Sequence, residues 1–227
     1  MRALLLLPAV AALLAAGCGG SPGDAPQATT AAGSAPSGAQ RAQACRHVPA
    51  PAPREGGGAR PPAERLDPGK TYRLVFSTSC GSFAVTLDQT RAPATSASLV
   101  ALARAGFFDA TVFHRIVPGF VIQGGDPTQS GAGGPGYRTA DAPPAGARYV
   151  EGVVAMAKTQ AEPPGTAGSQ FFVVTAADAG LPPDYAIVGT VTEGLGVVEQ
   201  IGALGDPATE QPTQPVVIDT VRVVERP

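Results

Sequence analysis

From Tyr72 onward the chain is a succession of short apolar runs, each stopped within about ten residues by Gly, Pro or a Ser/Thr/Asp cluster. Runs of that length make strands or short helices, and their number points to a mainly β, antiparallel domain rather than a helical bundle. Tyr72, Leu74 and Phe76 alternate with Arg73, Val75 and Ser77. Phe83, Val85 and Leu87 alternate again after a turn at Cys80-Gly81, which predicts a β-hairpin. Pro93 opens a helix and Gly106 closes it, with Leu99, Leu102 and Ala103 on the buried face. Further strands are expected over 112–117, 120–123, 152–157, 170–175, 186–192 and 216–224, the last with Val217, Asp219 and Val221 in alternation. A second short helix fits 196–204, with Val197, Val198 and Ile201 on one side. About eight strands and two helices with Gly/Pro turns between them leave two architectures open, a closed barrel or a sandwich.

Upstream the periodicity vanishes. Arg2 is followed by an unbroken apolar run of 14 residues, Ala3 to Ala16. A bilayer span needs ~20, so the run suits the core of a signal peptide over residues 1–17. Leu14-Ala15-Ala16-Gly17-Cys18 resembles a bacterial lipobox, in which the cysteine is acylated and becomes the new N-terminus. The commonest form has Leu where Ala15 stands, and ordinary cleavage near Ala16 or Gly17 is the alternative. A free thiol beside an extracytoplasmic cleavage site would be a redox liability, which favours a lipid on Cys18. Cys45 and Cys80 then remain as an even pair in an oxidising compartment, and a disulfide between them is expected. Residues 18–67 are Ala, Pro, Gly, Ser, Thr and Gln with scattered charge and no period, and read as a disordered tether. Residues 68–227 are the folded domain. His47 is a lone linker histidine, solvated rather than a ligand.

Charge narrows the partners: 16 Lys+Arg against 18 Asp+Glu leave no basic surface for nucleic acid. With 2 His in the chain, no metal-spaced His/Cys set is present, nor a Gly-x-Ser-x-Gly elbow or a phosphate loop. Neither a metal nor a cofactor is expected. Gly131-x-Gly133-x-x-Gly136 satisfies the dinucleotide-binding string. However, Pro135 interrupts it and the Pro-rich residues 137–144 cannot open the helix that string requires.

The densest cluster is Phe113-His114-Arg115-Ile116-Val117-Pro118-Gly119-Phe120-Val121-Ile122-Gln123-Gly124-Gly125-Asp126. Two apolar strands around a Pro-Gly turn account for Ile116, Val117 and Ile122. They do not account for an Arg and a Gln amid apolar residues, where unpaired polar groups are costly; two such side chains imply a polar ligand that satisfies them. This stretch resembles the signature of the cyclophilins. Gly131 to Tyr137, Met156-Ala157, Gly168-Ser169-Gln170-Phe171-Phe172 and Tyr185-Ala186-Ile187-Val188-Gly189 resemble the family's later motifs, in the same order. The resemblance spans roughly Tyr72 to Val224. It implies a closed eight-stranded antiparallel barrel capped by two helices, and the activity of a peptidyl-prolyl cis–trans isomerase.

By that resemblance Phe120, Val121, Phe172 and Leu181 wall an apolar proline pocket, with Ala157 and Tyr185 at its margin. Arg115 faces the prolyl carbonyl and imide nitrogen. Gln123 binds substrate backbone and positions Arg115, the backbone of Lys158 pairs with the residue before proline, and Gln170 lines the neighbouring subsite. His114 shapes the site without transferring protons. Three residues depart from the family pattern: Lys158 stands for Asn, Gly180 for Trp and Tyr185 for His, and the loop 159–168 is longer. The expected function is folding assistance to exported proteins by a monomer at the outer face of the cell membrane. Its partners are proline-containing polypeptides. The alternative is a non-catalytic proline-peptide-binding module of the envelope.

Overall fold

The computed structural model describes residues 44–227. The signal peptide expected over 1–17, the acylation expected at Cys18 and the first part of the expected tether fall outside the described residues. The expected hairpin is β1 (Thr71–Thr78) and β2 (Gly81–Leu87), with Thr78 opposite Gly81. Helix α1 (Pro93–Arg104) begins at its proline and ends two residues before Gly106. Its free N-terminal amides are met by Asp141, whose carboxylate accepts from Thr95 N and Thr95 Oγ1, each at 2.7 Å. Then come β3 (Thr111–Val112), β4 (Arg115–Val117), β5 (Val121–Gly124), β6 (Thr139–Ala140) and β7 (Val153–Met156). They are followed by β8 (Thr166–Ala167), β9 (Phe171–Val174), β10 (Ile187–Glu193), α2 (Leu195–Gly202) and β11 (Val217–Arg226). Among the described residues no helix is long and apolar enough to cross a membrane.

Nine strands form one antiparallel sheet in the order β3-β11-β1-β2-β10-β7-β9-β5-β4, and β6 pairs with β8 apart from it. The sheet is an open, strongly curled half-barrel, not the closed eight-stranded barrel the resemblance implied. The reason lies in residues 112–117, expected as one strand. Phe113 and His114 leave the ladder, so the segment splits into the two end strands β3 and β4, which are not paired with each other. Phe113 is fully buried, with its ring 6.1 Å from that of Phe171 and 6.5 Å from that of Phe83. β11 also departs from simple alternation: the register slips between Ser77 and Thr78, which face Thr220 and Ile218. The bulge turns Asp219 out of the face that Val217 and Val221 bury, where an unpaired carboxylate would be costly.

The pleat sends alternate residues to opposite faces. Ile116, Ile122, Val154, Met156, Phe171, Val173 and Val188 enter the main core with Phe76, Phe83 and Leu99, and Val198 and Ile201 of α2 close it. Val121, Val153, Ala155, Phe172, Val174 and Ile187 take the other face and form a second apolar cluster with Tyr149. That second face carries the candidate site.

The segment read as tether is not free of the domain once it is described. Residues 44–62 contain no helix or strand, but Cys45 is joined to Cys80 by a disulfide, the expected pair. Arg46 N donates to Ser79 O, Arg54 N to Pro127 O, Gly57 N to Gly134 O and Ala59 N to Pro135 O. Arg54 also reaches Phe107 O and Asp109 O, and Gln129 Nε2 donates to Pro51 O at 2.8 Å. This stretch is a strap, and composition missed it because most of its hydrogen bonds use backbone groups that every residue carries.

Candidate active site

The strand registers bring distant residues into one row. Arg115 lies opposite Gln123, Gln123 opposite Phe172, Phe172 opposite Ala155, and Ala155 opposite Ile187. Adjacent strands are ~4.8 Å apart, so the row runs from a cation through an amide to an aromatic ring within about 10 Å. Along the apolar half, Phe120, Ala157, Leu181 and Tyr185 pack as partly exposed members around the buried Val121, Phe172 and Ile187. The Phe172 ring meets the Tyr185 ring edge-on at 5.5 Å. Tyr149, which the sequence reading did not single out, holds Tyr185 by its backbone: Tyr149 Oη donates to Tyr185 O at 2.7 Å and accepts from Tyr185 N at 3.0 Å. Burial raises the Tyr149 pKa, and the bonds to the Tyr185 and Asp184 backbone oppose that rise. Its one available signal was size, as the large aromatic of a loop otherwise rich in Ala, Gly, Pro and Arg.

The polar half is built on Asp126. This fully buried carboxylate accepts from Thr128 N and Oγ1, from Gly131 N at 2.7 Å and from Gly133 N at 3.1 Å. Burial works against its ionisation, but those hydrogen bonds prevail and hold its pKa below the ordinary Asp value. A Cβ on Gly133 would lie 2.1 Å from Asp126 Oδ1, so only glycine fits there. The Gly-rich loop therefore turns its amides onto an internal carboxylate and has none of the strand–helix setting of a dinucleotide site. Gln170 links this loop to the row: its Nε2 donates to Gly131 O and Gly133 O, and its Oε1 accepts from Gln123 Nε2 at 3.0 Å. A cavity of about 250 Å³ lies beside it, lined by Gln123, Arg138, Ala157, Lys158 and Gln170 among others.

Lys158 is folded inward, its side chain 3% exposed. Nζ pairs with Asp184 at 2.6 Å, donates to Glu162 O at 3.0 Å and sits 5.6 Å from the Tyr185 ring centroid. The two departures at 158 and 185 thus contact each other, and the long loop between 158 and 168 is fastened at Glu162. At Gly180 the rim is open: apart from its chain neighbours, no atom among the described residues lies within 4 Å of where a side chain would begin.

One expected contact is absent. Gln123 does not hydrogen-bond Arg115 among the described residues; its partner is Gln170. Arg115 Nε donates instead to Glu210 Oε2 at 2.7 Å. The cross-strand pair is intact, but the amide is bound to Gln170 and the guanidinium to Glu210. His114, next to Arg115, has both ring nitrogens buried, and burial lowers its pKa.

A family model described as "Cyclophilin type peptidyl-prolyl cis-trans isomerase/CLD" matches residues 73–223, the strands and helices just described. The chain belongs to the cyclophilin-type peptidyl-prolyl isomerases. Among curated cyclophilins, "Peptidyl-prolyl cis-trans isomerase-like 1" of Gibberella zeae is 37% identical over 159 residues, 68% of this chain and 96% of that protein. "Peptidyl-prolyl cis-trans isomerase A" of Mycobacterium tuberculosis is 35% identical over 174 residues, 69% of this chain and 94% of that protein. A solved cyclophilin-type isomerase from Cryptosporidium parvum superposes with a TM-score of 0.63 at 27% identity, covering 69% of this chain and 99% of its own. A second structure of it, in the presence of the dipeptide Ala-Pro, gives 0.62 at 27% identity over 67% and 98% of the two chains. This cyclophilin is therefore assigned as an enzyme, a peptidyl-prolyl cis–trans isomerase. Of the residues singled out in its sequence, Phe120, Val121, Ala157, Phe172, Leu181 and Tyr185 share the apolar cluster. Gln123, Lys158 and Gln170 share the polar cavity.

Proposed function

We propose that this isomerase acts on exported polypeptides at the cell envelope, held at the outer face of a membrane by a lipid on Cys18. The lipobox-like segment and the Cys45–Cys80 pair, which suits an oxidising compartment, support that placement.

The observation that carries the site reading is the row Arg115–Gln123–Phe172 beside the apolar cluster. An X-Pro bond resists rotation because amide resonance must be broken, at ~18–20 kcal/mol for a peptide bond. The reaction needs neither a nucleophile nor a proton relay. It needs the ring held, one flanking chain fixed and the twisted amide favoured. Phe120, Val121, Phe172 and Leu181 take the proline ring. Arg115 aims its guanidinium at the prolyl carbonyl and imide nitrogen, where localising the lone pair adds electron density. Gln123 and the Lys158 backbone hold the peptide, and Gln170 with the cavity beside it accommodates the preceding residues. Each ~1.4 kcal/mol gained only in the twisted state is tenfold in rate.

A protease-coupled isomerisation assay on a short X-Pro peptide tests the site. Arg115→Ala should lower kcat/KM by about 100-fold, near 3 kcal/mol, with a much smaller change in peptide affinity. Phe120→Ala should lose affinity and turnover together. Wild-type kcat/KM in Arg115→Ala would remove Arg115 from the reaction. Fatty-acid labelling should mark the wild type and leave Cys18→Ser unmarked; equal labelling would remove the anchor.

A further inference from the structure

An arginine that stabilises a twisted amide has to be aimed. Its side chain has four rotatable bonds, and a third of it is open to solvent here (34%). Left alone, it would spread over several rotamers and meet the substrate in only some of them. The residue across the strand does not hold it: among the described residues Gln123 hydrogen-bonds Gln170 and not Arg115. Among the described residues the one group that does is Glu210, whose Oε2 accepts a hydrogen bond from Nε at 2.7 Å. Nε is the inner donor of the guanidinium. Bound there, the group keeps both Nη groups without a partner among the described residues.

The loop that carries Glu210 is built to deliver it. Asp206 Oδ1 accepts from Ala208 N and Thr209 N, and Glu210 N donates to Asp206 O at 2.8 Å. Asp206 N closes the turn on Gln211 O. Glu210 sits at φ 59°, a conformation that favours glycine, so a side chain is carried where the backbone would be easier without one. Glu210 O accepts from Ile116 N at 2.8 Å, which docks the loop beside Arg115 itself. Gly205 makes the approach possible: a Cβ there would lie 2.3 Å from Ile116 O. Backbone and side chain of one residue therefore grip two successive residues of β4.

We propose that Glu210 is a positioning residue for the isomerase reaction, fixing Arg115 through Nε so that its two Nη groups are presented to the prolyl amide. It touches no substrate atom and acts only through Arg115. The proposal rests on Arg115 as the group that meets the amide, and the variants below separate failure of one from failure of the other.

The test is kcat/KM for X-Pro isomerisation, with peptide affinity and thermal melting, on the full chain and four variants: Glu210→Ala, Glu210→Gln, Arg115→Ala and Arg115→Ala/Glu210→Ala. Glu210→Ala should lose about threefold to fivefold in kcat/KM, the worth of an ion pair of this exposure, with peptide affinity and melting little changed. Glu210→Gln, which keeps an acceptor oxygen without the charge, should fall between it and the wild type. In the Arg115→Ala background the second substitution should change nothing, since the residue it positions is gone. Multiplicative losses in the double variant would make Glu210 a general structural residue. Unchanged or increased turnover in Glu210→Ala would show that the carboxylate does not aim the guanidinium or instead restrains it. Either result overturns the proposal. Full activity in Arg115→Ala would instead overturn the site reading on which it rests.

Discussion

Replacing Cys45 by Ser should loosen the strap and, with it, the Gly-rich loop. The disulfide closes a loop of 35 residues. In the chain-entropy treatment a loop of that size constrains the unfolded chain by about 4 kcal/mol at 25 °C. For a domain of this length that is a fall in Tm of about 8–16 °C. Local consequences follow from what else holds the strap. Backbone bonds at Arg46, Arg54, Gly57 and Ala59 are spaced several residues apart. A hydrogen bond contributes about 1 kcal/mol net, and ordering each residue costs as much or more, so the strap is not held down by those bonds alone. Its two contacts with Gly134 and Pro135 then lapse, and the loop that carries the Gln170 acceptors loses a brace. Thermal melting monitored by circular dichroism gives the global effect. Amide exchange at Arg54, Gly57 and Ala59 gives the local one, and both should change. kcat/KM should fall by a few fold at most, because neither Arg115 nor the proline pocket touches the strap. A variant that melts within a degree or two of the wild type, with those three amides still protected, would refute the reasoning, since the strap would then be held by contacts that do not need the bridge.

Phe172→Ala should cost about 3–5 kcal/mol of stability, because the ring is 5% exposed and packs against Tyr149 and Tyr185, and it should abolish measurable peptide binding; peptide titration that still saturates would place the proline elsewhere. The depressed pKa of Asp126 means that its carboxylate contributes stability at and above the ordinary Asp range near about 4 and loses it as pH falls through the lower folded-state value. The difference in Tm between wild type and Asp126→Asn should therefore be constant above that range and shrink only below it. A difference that already shrinks between neutral pH and that range would contradict the assignment.

Much of the molecule was legible from local pattern. The β1–β2 hairpin, α1 with Pro93 at its start, and most later strands lie within a few residues of where alternation and turn residues put them. The motif around Arg115 and Gln123 was legible for a different reason: polar side chains at those positions are expensive unless something binds them. β6 and β8 were missed because two residues each carry no period.

Local pattern says which face of a strand is apolar; it does not say which strand lies alongside. That Gln123 falls opposite Phe172, 49 residues on, is a matter of register. So is the bulge that expels Asp219. The break at Phe113-His114 that leaves the sheet open depends on where a single ring finds room in the core. Tyr149 under Tyr185, the strap on the Gly-rich loop and Glu210 on Arg115 join residues 35 or more apart in the chain by one or two polar contacts each. The periodicity of this sequence was enough to determine a mainly β domain, and the resemblance of its motifs to the cyclophilins supplied the residues of its site. Which partner holds each of those residues was decided by the tertiary structure alone, because hydrogen-bond geometry depends on a few ångströms of placement that no short-range period encodes.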